Sequence, residues 1–240
     1  MSGLQKKDLG PEVYWWDEHF IEAPSSEHFQ PAWWEHQERV LGSSKGRNTA
    51  WFVRGDHTDM VLRHYYRGGL VGKILTDQFW LEPVEKSRAM REFALLQWMS
   101  DEGLPVPRPC AARFARDGVF YRADLLITMI PNSRDLFRIM TDDGPLSAAR
   151  WQAVGKTVRQ MHDKGVYHSD LNCHNIMLDN HDKVWLIDFD KCERREPGEW
   201  QQANCDRLLR SLRKELGKNP KFGWQDSDWA AFEAGYNGDS

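Results

Sequence analysis

The sequence predicts a two-lobed α+β fold: a small first lobe over residues 1–130, mostly strand with one helix, then a reduced, mainly helical lobe over 131–240. Three observations carry this. Short apolar runs bounded by turn residues fill the first half, helical spacing holds there only from Glu85 to Asp101, and after Pro131-Asn132 helical patterns take over around a short hairpin. No internal repeat or low-complexity segment points to another architecture.

Residues 1–40 are aromatic and acidic and are interrupted by Pro11, Pro24 and Pro31, which reads as an irregular lead-in with short extended pieces. LGSSKGRNTAWFV, from Leu41, reads as a Gly/Ser/Lys loop running into a strand. After the turn-like Gly55-Asp56, DMVLRHYY reads as a second strand, making a hairpin. Gly68-Gly69 and Gly72 then loosen the chain. Ala89, Phe93, Leu96 and Met99 recur at helical steps, and LPVPRP beyond Gly103 forces an extended exit because proline fixes φ and removes a donor. CAARFA and VFYRADLLITMI flank Asp117-Gly118, a strong hairpin signal.

In the second half Ser147 is the N-cap of a helix that carries Trp151, Val154, Val158 and Met161 on one face and stops at Gly165. A loop from Tyr167 to Asn175 leads into a strand IMLD, a turn NHDK and a strand VWLID. The last helix read from the pattern is ANCDRLLRSLRKELG, with Cys205, Leu208, Leu212 and Leu216 on its apolar side.

The composition, 240 residues with 40% hydrophobic and a formal charge of −4, suits one unit or two small lobes and disfavours a general nucleic-acid binder. No apolar run reaches the roughly 18 residues of a membrane span, and MSGLQKKDLG lacks the apolar core of a secretory signal, so the expected place is the compartment of synthesis. Four cysteines without a CxxC pair read as reduced thiols, and Cys173, His174 and Cys192 do not have structural-zinc spacing. Of twelve tryptophans, Trp15-Trp16, Trp33-Trp34 and Trp51 fall early; covering a small core is the plainer reading, and seating at a lipid headgroup interface is the sharper one.

The stretch YHSDLNCHNIMLDNHDKVWLIDFDK holds the chemistry. His168-Ser169-Asp170 with Asn175 five positions after the aspartate, then a hairpin leading to Asp188-Phe189-Asp190, resembles the kinase pattern H-x-D-x-x-x-x-N followed by D-F-G. The resemblance implies a protein-kinase-like fold with Asp170 as catalytic base, Asn175 and Asp188 as Mg2+ ligands beside ATP, and His168 as a brace for the loop. Gly42 and Gly46 would cover the phosphates. Arg63 stands where the family places a lysine, with Glu92 as its helix partner and Lys73 as the other candidate for the phosphates. Asp190 replaces the usual glycine.

Nothing after Asp190 looks like an activation segment closed by A-P-E, which favours a small-molecule or lipid-linked acceptor. VLRHYYRGGLVGKILTDQFW, SRAMREFALLQWMSDEGLPVPRPCAA and NCDRLLRSLRK narrow the likeness further: over roughly Arg47 to Leu216 the chain is similar to the Kdo kinases, the 3-deoxy-D-manno-octulosonic acid kinases of lipopolysaccharide inner-core synthesis. That resemblance implies ATP-dependent phosphorylation of the Kdo 4-hydroxyl on Kdo-lipid IVA. The work would be done by a peripheral protein on the cytoplasmic side of the inner membrane, with no protein partner. Arg63, Arg67 and Lys73, with Arg207, Arg210, Arg213 and Lys214 on the last helix, are cations that suit an anionic lipid-linked acceptor or headgroups. A phosphotransferase of aminoglycoside-phosphotransferase type acting on a soluble acceptor, and a nucleotide-binding pseudokinase scaffold, are the alternatives.

Overall fold

Gly118, at φ 61°, supplies the left-handed turn that joins β7 (Pro109–Asp117) to β8 (Phe120–Thr128), the two longest strands. The computed structural model describes residues 3–45, 49–67 and 77–238. The described residues form two compact units, those up to 98 with 107–129 and those of 99–106 with all from 130 on. The end of the first-lobe helix and its proline-rich exit thus group with the second unit.

The first unit is an antiparallel sheet in the order β1 (Leu4–Asp8), β2 (Glu12–Asp17), β7, β8, β5 (Asp59–His64), β4 (Thr49–Arg54), β3 (Val40–Lys45), with β6 (Phe79–Trp80) also on β8. Period-2 alternation sorts the side chains of β5. Met60 and Leu62 enter one core, and Arg63 turns to α2 (Arg88–Asp101), where it meets Glu92. Both faces of the sheet are covered, which is why β2 is buried almost throughout instead of alternating. On one face Trp15 meets Phe93 of α2 edge to face, with centroids 6.3 Å apart. On the other, Tyr14, Trp16, Met60 and Leu62 pack against Ile21, Phe29 and Trp34. Each such fully buried large side chain contributes about 1.5–3 kcal/mol.

This arrangement corrects the reading of residues 1–40 as an irregular lead-in. Pro11 lies in the connection of a β1–β2 hairpin, and Pro31 opens α1 (Pro31–His36), where the missing N–H costs nothing. LGSSK is likewise strand β3, not loop. The early tryptophans serve the core: Trp15, Trp16 and Trp34 are buried, the Trp16 and Trp34 indoles donating to the carbonyls of Glu22 and His28, and Trp33 and Trp51 pack against the same cluster.

The second unit contains α3 (Leu136–Asp142), α4 (Ala148–Asp163), α5 (Trp200–Lys218) and α6 (Asp228–Asn237). A small sheet, β12 (Val184–Leu186), β11 (Ile176–Leu178), β9 (Arg134–Asp135), and a strand pair, β10 (Val166–Tyr167) with β13 (Glu193–Arg194), complete it. Ser147 caps α4, its Oγ accepting the Arg150 N–H at 3.3 Å. Cys205, Leu208 and Leu212 of α5 are buried, whereas Leu216, read as part of the apolar side, is 39% exposed.

Candidate active site

Beyond β10 the chain enters the loop 168–175 through His168, whose ring is fully buried and needs partners for both nitrogens. Its Nε2 lies 3.0 Å from the Ile187 carbonyl, which can only accept, so that nitrogen carries the proton. Nδ1 then accepts the Asp170 N–H at 3.1 Å. Burial pushes the imidazole pKa below its usual value, against the Ile187 hydrogen bond and the Asp188 and Asp170 charges. A neutral ring therefore ties the loop to the end of β12, with Phe189 against it at 4.9 Å between centroids.

The β11–β12 hairpin brings the two ends of the quoted stretch together. Ile176 pairs with Leu186, and one step further the Ile187 N–H donates to the Asn175 carbonyl at 3.0 Å. Asn175 is buried, and its Nδ2 donates to the Asp170 carbonyl at 2.9 Å. That bond fixes the amide so that Oδ1 is the atom left over, and among the described residues no donor reaches it. Asp188 follows at φ 66°, a left-handed conformation that aspartate tolerates better than most residues and that tends to occur where function demands it. Asp190, where the generic pattern has glycine, accepts the Ser169 hydroxyl on its main-chain carbonyl at 2.7 Å.

Asp170 points to α5. Arg207 brings both Nε, at 3.1 Å, and Nη2 onto the same carboxylate oxygen, Oδ1. Burial pushes the Asp170 carboxyl up, but the Arg207 guanidinium outweighs it and holds the group below the usual carboxylate range.

In the first unit Arg63, between Ala50 of β4 and Leu125 of β8, donates from Nη1 to Glu92 Oε1 at 2.7 Å. The Glu92 side chain is 1% exposed, and Tyr65 donates to its other oxygen, so the buried charge is compensated on both sides. Gly42 lies in β3 opposite Phe52, beside a register shift. Gly46 and Lys73 fall outside the described residues. Cys173, His174 and Cys192 do not converge: Cys173 accepts from Ser211, the His174 ring lies tilted against Phe137, and Cys192 receives the Ser169 N–H.

The family model described as Lipopolysaccharide kinase (Kdo/WaaP) family matches residues 31–236. The chain belongs to this lipopolysaccharide kinase family. It is 46% identical over 219 residues, 91% of each chain, to the 3-deoxy-D-manno-octulosonic acid kinase of Vibrio parahaemolyticus. Its identity to the Vibrio cholerae protein of that name is 45% over 215 residues, 90% of this chain and 91% of the relative. With the Haemophilus influenzae protein of the same name it is 40% over 222 residues, 89% and 91%.

Two residues of this lipopolysaccharide kinase family member escaped the pattern reading of the site. Asn204 on α5 is buried and clasps the His168 main chain, Oδ1 accepting its N–H and Nδ2 donating to its carbonyl, both at 3.1 Å. An asparagine inside an otherwise apolar helix face was the available signal, since a buried amide must find partners. Arg207 was read only as an outward cation, and the structure instead places it on Asp170.

Proposed function

We propose that this lipopolysaccharide kinase family member transfers the γ-phosphoryl group of ATP to the 4-hydroxyl of Kdo on Kdo-lipid IVA. It works as a peripheral protein at the cytoplasmic face of the inner membrane. No helix among the described residues is long and apolar enough to cross a membrane.

The observation that carries this reading is the neutral His168 brace, which joins the loop bearing Asp170 and Asn175 to the strand end bearing Asp188. Asp170 is an acceptor-only carboxylate on a loop pinned at both its N–H and its carbonyl, as a base that orients and deprotonates a hydroxyl must be. Asn175 Oδ1 and the Asp188 carboxylate are hard oxygens suited to Mg2+, and the unclaimed Oδ1 of a buried amide fits that role. Bound Mg2+ would neutralise triphosphate charge. Arg63, steadied by Glu92, is the candidate for phosphate contact, with Lys73 as the alternative and Gly42 and Gly46 as cover. A guanidinium keeps the required charge there but offers a planar fork in place of a lysine's point charge. The acceptor is taken from the relatives' names, which specify an octulosonic acid.

Purified protein incubated with ATP, Mg2+ and Kdo-lipid IVA should add a single phosphoryl group to the acceptor by mass. Asp170→Ala should lower turnover by about 100- to 10,000-fold with an unchanged thermal melt, since no core volume is lost. Near wild-type turnover in that variant would remove Asp170 from the role of base.

A further inference from the structure

Arg207, Arg210 and Lys214 recur on α5 at three- and four-residue steps and so share one side of the helix. Their neighbour Arg213 is engaged by Asp226. Among the described residues Arg210 and Lys214 meet no acidic side chain, so the cationic row starts at Asp170 and continues along the helix uncompensated.

The first member of the row is held weakly. The Arg207–Asp170 pair is half-exposed, the side chains retaining 46% and 51% of their accessible surface, and pairs of that exposure contribute little to stability. Both guanidinium nitrogens fall on one oxygen, whereas an arginine locked to a carboxylate engages two oxygens with its fork. Such a contact yields readily to a better-matched anion. The acceptor of the proposed reaction is itself an acid, with its carboxylate on the same sugar ring as the hydroxyl that must reach Asp170.

We infer that Arg207 is the receptor for the acceptor's carboxylate: on binding, the guanidinium exchanges Asp170 Oδ1 for the acid group of the octulosonic acid, leaving Asp170 to meet the hydroxyl. Specificity for an acidic sugar then arises in the side chain that closes the site in its empty state, because a neutral sugar offers nothing to draw Arg207 away. The inference rests on the functional reading above.

The test compares Kdo-lipid IVA with its Kdo methyl ester, which removes the negative charge and keeps the hydroxyl. Wild-type kcat/KM should fall about 10- to 100-fold on esterification. Arg207→Gln should lose a similar factor on the free acid and no longer distinguish acid from ester. Should that variant fail to fold, Arg207→Lys is read on the same two acceptors and should show reduced discrimination. Full discrimination in the variant that folds, or a wild type indifferent to esterification, would overturn the assignment. Absence of transfer to the free acid by the wild type would overturn the functional reading itself, a different result from the other two.

Discussion

Asn204 does at the scale of a single residue what no main-chain ladder does at the entry to the loop 168–175: it satisfies both the N–H and the carbonyl of His168 with one amide. Replacing it by leucine leaves two buried main-chain groups without partners, at a cost of about 2–4 kcal/mol. Urea unfolding of Asn204→Leu should show that loss, and turnover should fall with it because His168 no longer holds Asp170 in place. An unaltered unfolding midpoint would mean that the clasp carries no stability. Asp170, Asn175 and Asp188 were legible in the sequence because their relation is local; fixed spacing along one loop and one hairpin expresses it. Asn204 and Arg207 were not, since they reach the loop from positions 36 and 37 residues further on, and residues on a helix give no sign of which distant group they meet. Arg63 and Glu92 fall between these cases: a strand and a helix each predicted by periodicity, paired by the kinase pattern, and observed at 2.7 Å.

Among elements, α4 and α6 pack main chain against main chain, and small residues permit it. A Cβ on Gly155 would collide with the Phe232 carbonyl and stand 2.7 Å from the Tyr236 nitrogen, and one on Gly235 would meet the Gln152 main chain. Gly155→Ala therefore gains about 1 kcal/mol of helix propensity and forfeits the contact, so the net effect is destabilising. A thermal melt several degrees below wild type is the expected result; an equal or higher melt would mean that the two helices can shift apart without cost. The other glycine of this contact explains why α6 went unread: Gly235 sits near the end of DWAAFEAGYN, where an isolated sequence suggests termination, and only the partner helix gives it a reason to be there. The β1–β2 hairpin was hidden by a different cause. β1 is an edge strand with exposed side chains on both faces, so it lacks period-2 alternation, and β2 is buried on both faces, so it lacks it too. The helices α2, α4 and α5 were legible because each has one buried and one solvated side.

Across the whole molecule, buried histidines set how stability depends on pH. His162 is pulled down to about 4 by burial, against the hydrogen bond its Nε2 donates to Asn204 Oδ1 and the nearby Asp163 charge. The native ring stays neutral while the unfolded ring takes up a proton below its ordinary value near 6.5, so the unfolded state binds more protons in that interval. Stability is therefore full above that value and declines as pH falls towards 4, where the native ring protonates as well. His168, lowered by burial, and His28, lowered by burial in the first unit, act in the same direction. His64 acts in the opposite one: despite burial, its bonds to Asp124 and Asp77 raise its pKa, so its contribution is present in acid and is lost as pH rises through the folded value. His162 and His168, both in the second unit, thus share a sign that is opposite to that of His64. Between pH 7.5 and 5 His162 alone should remove about 2 kcal/mol. The measurement is urea unfolding at both pH values for wild type and His162→Gln: the variant, which cannot titrate there, should lose less stability on acidification by about that amount. An identical loss in both proteins would assign the acid sensitivity to other groups and detach His162 from it.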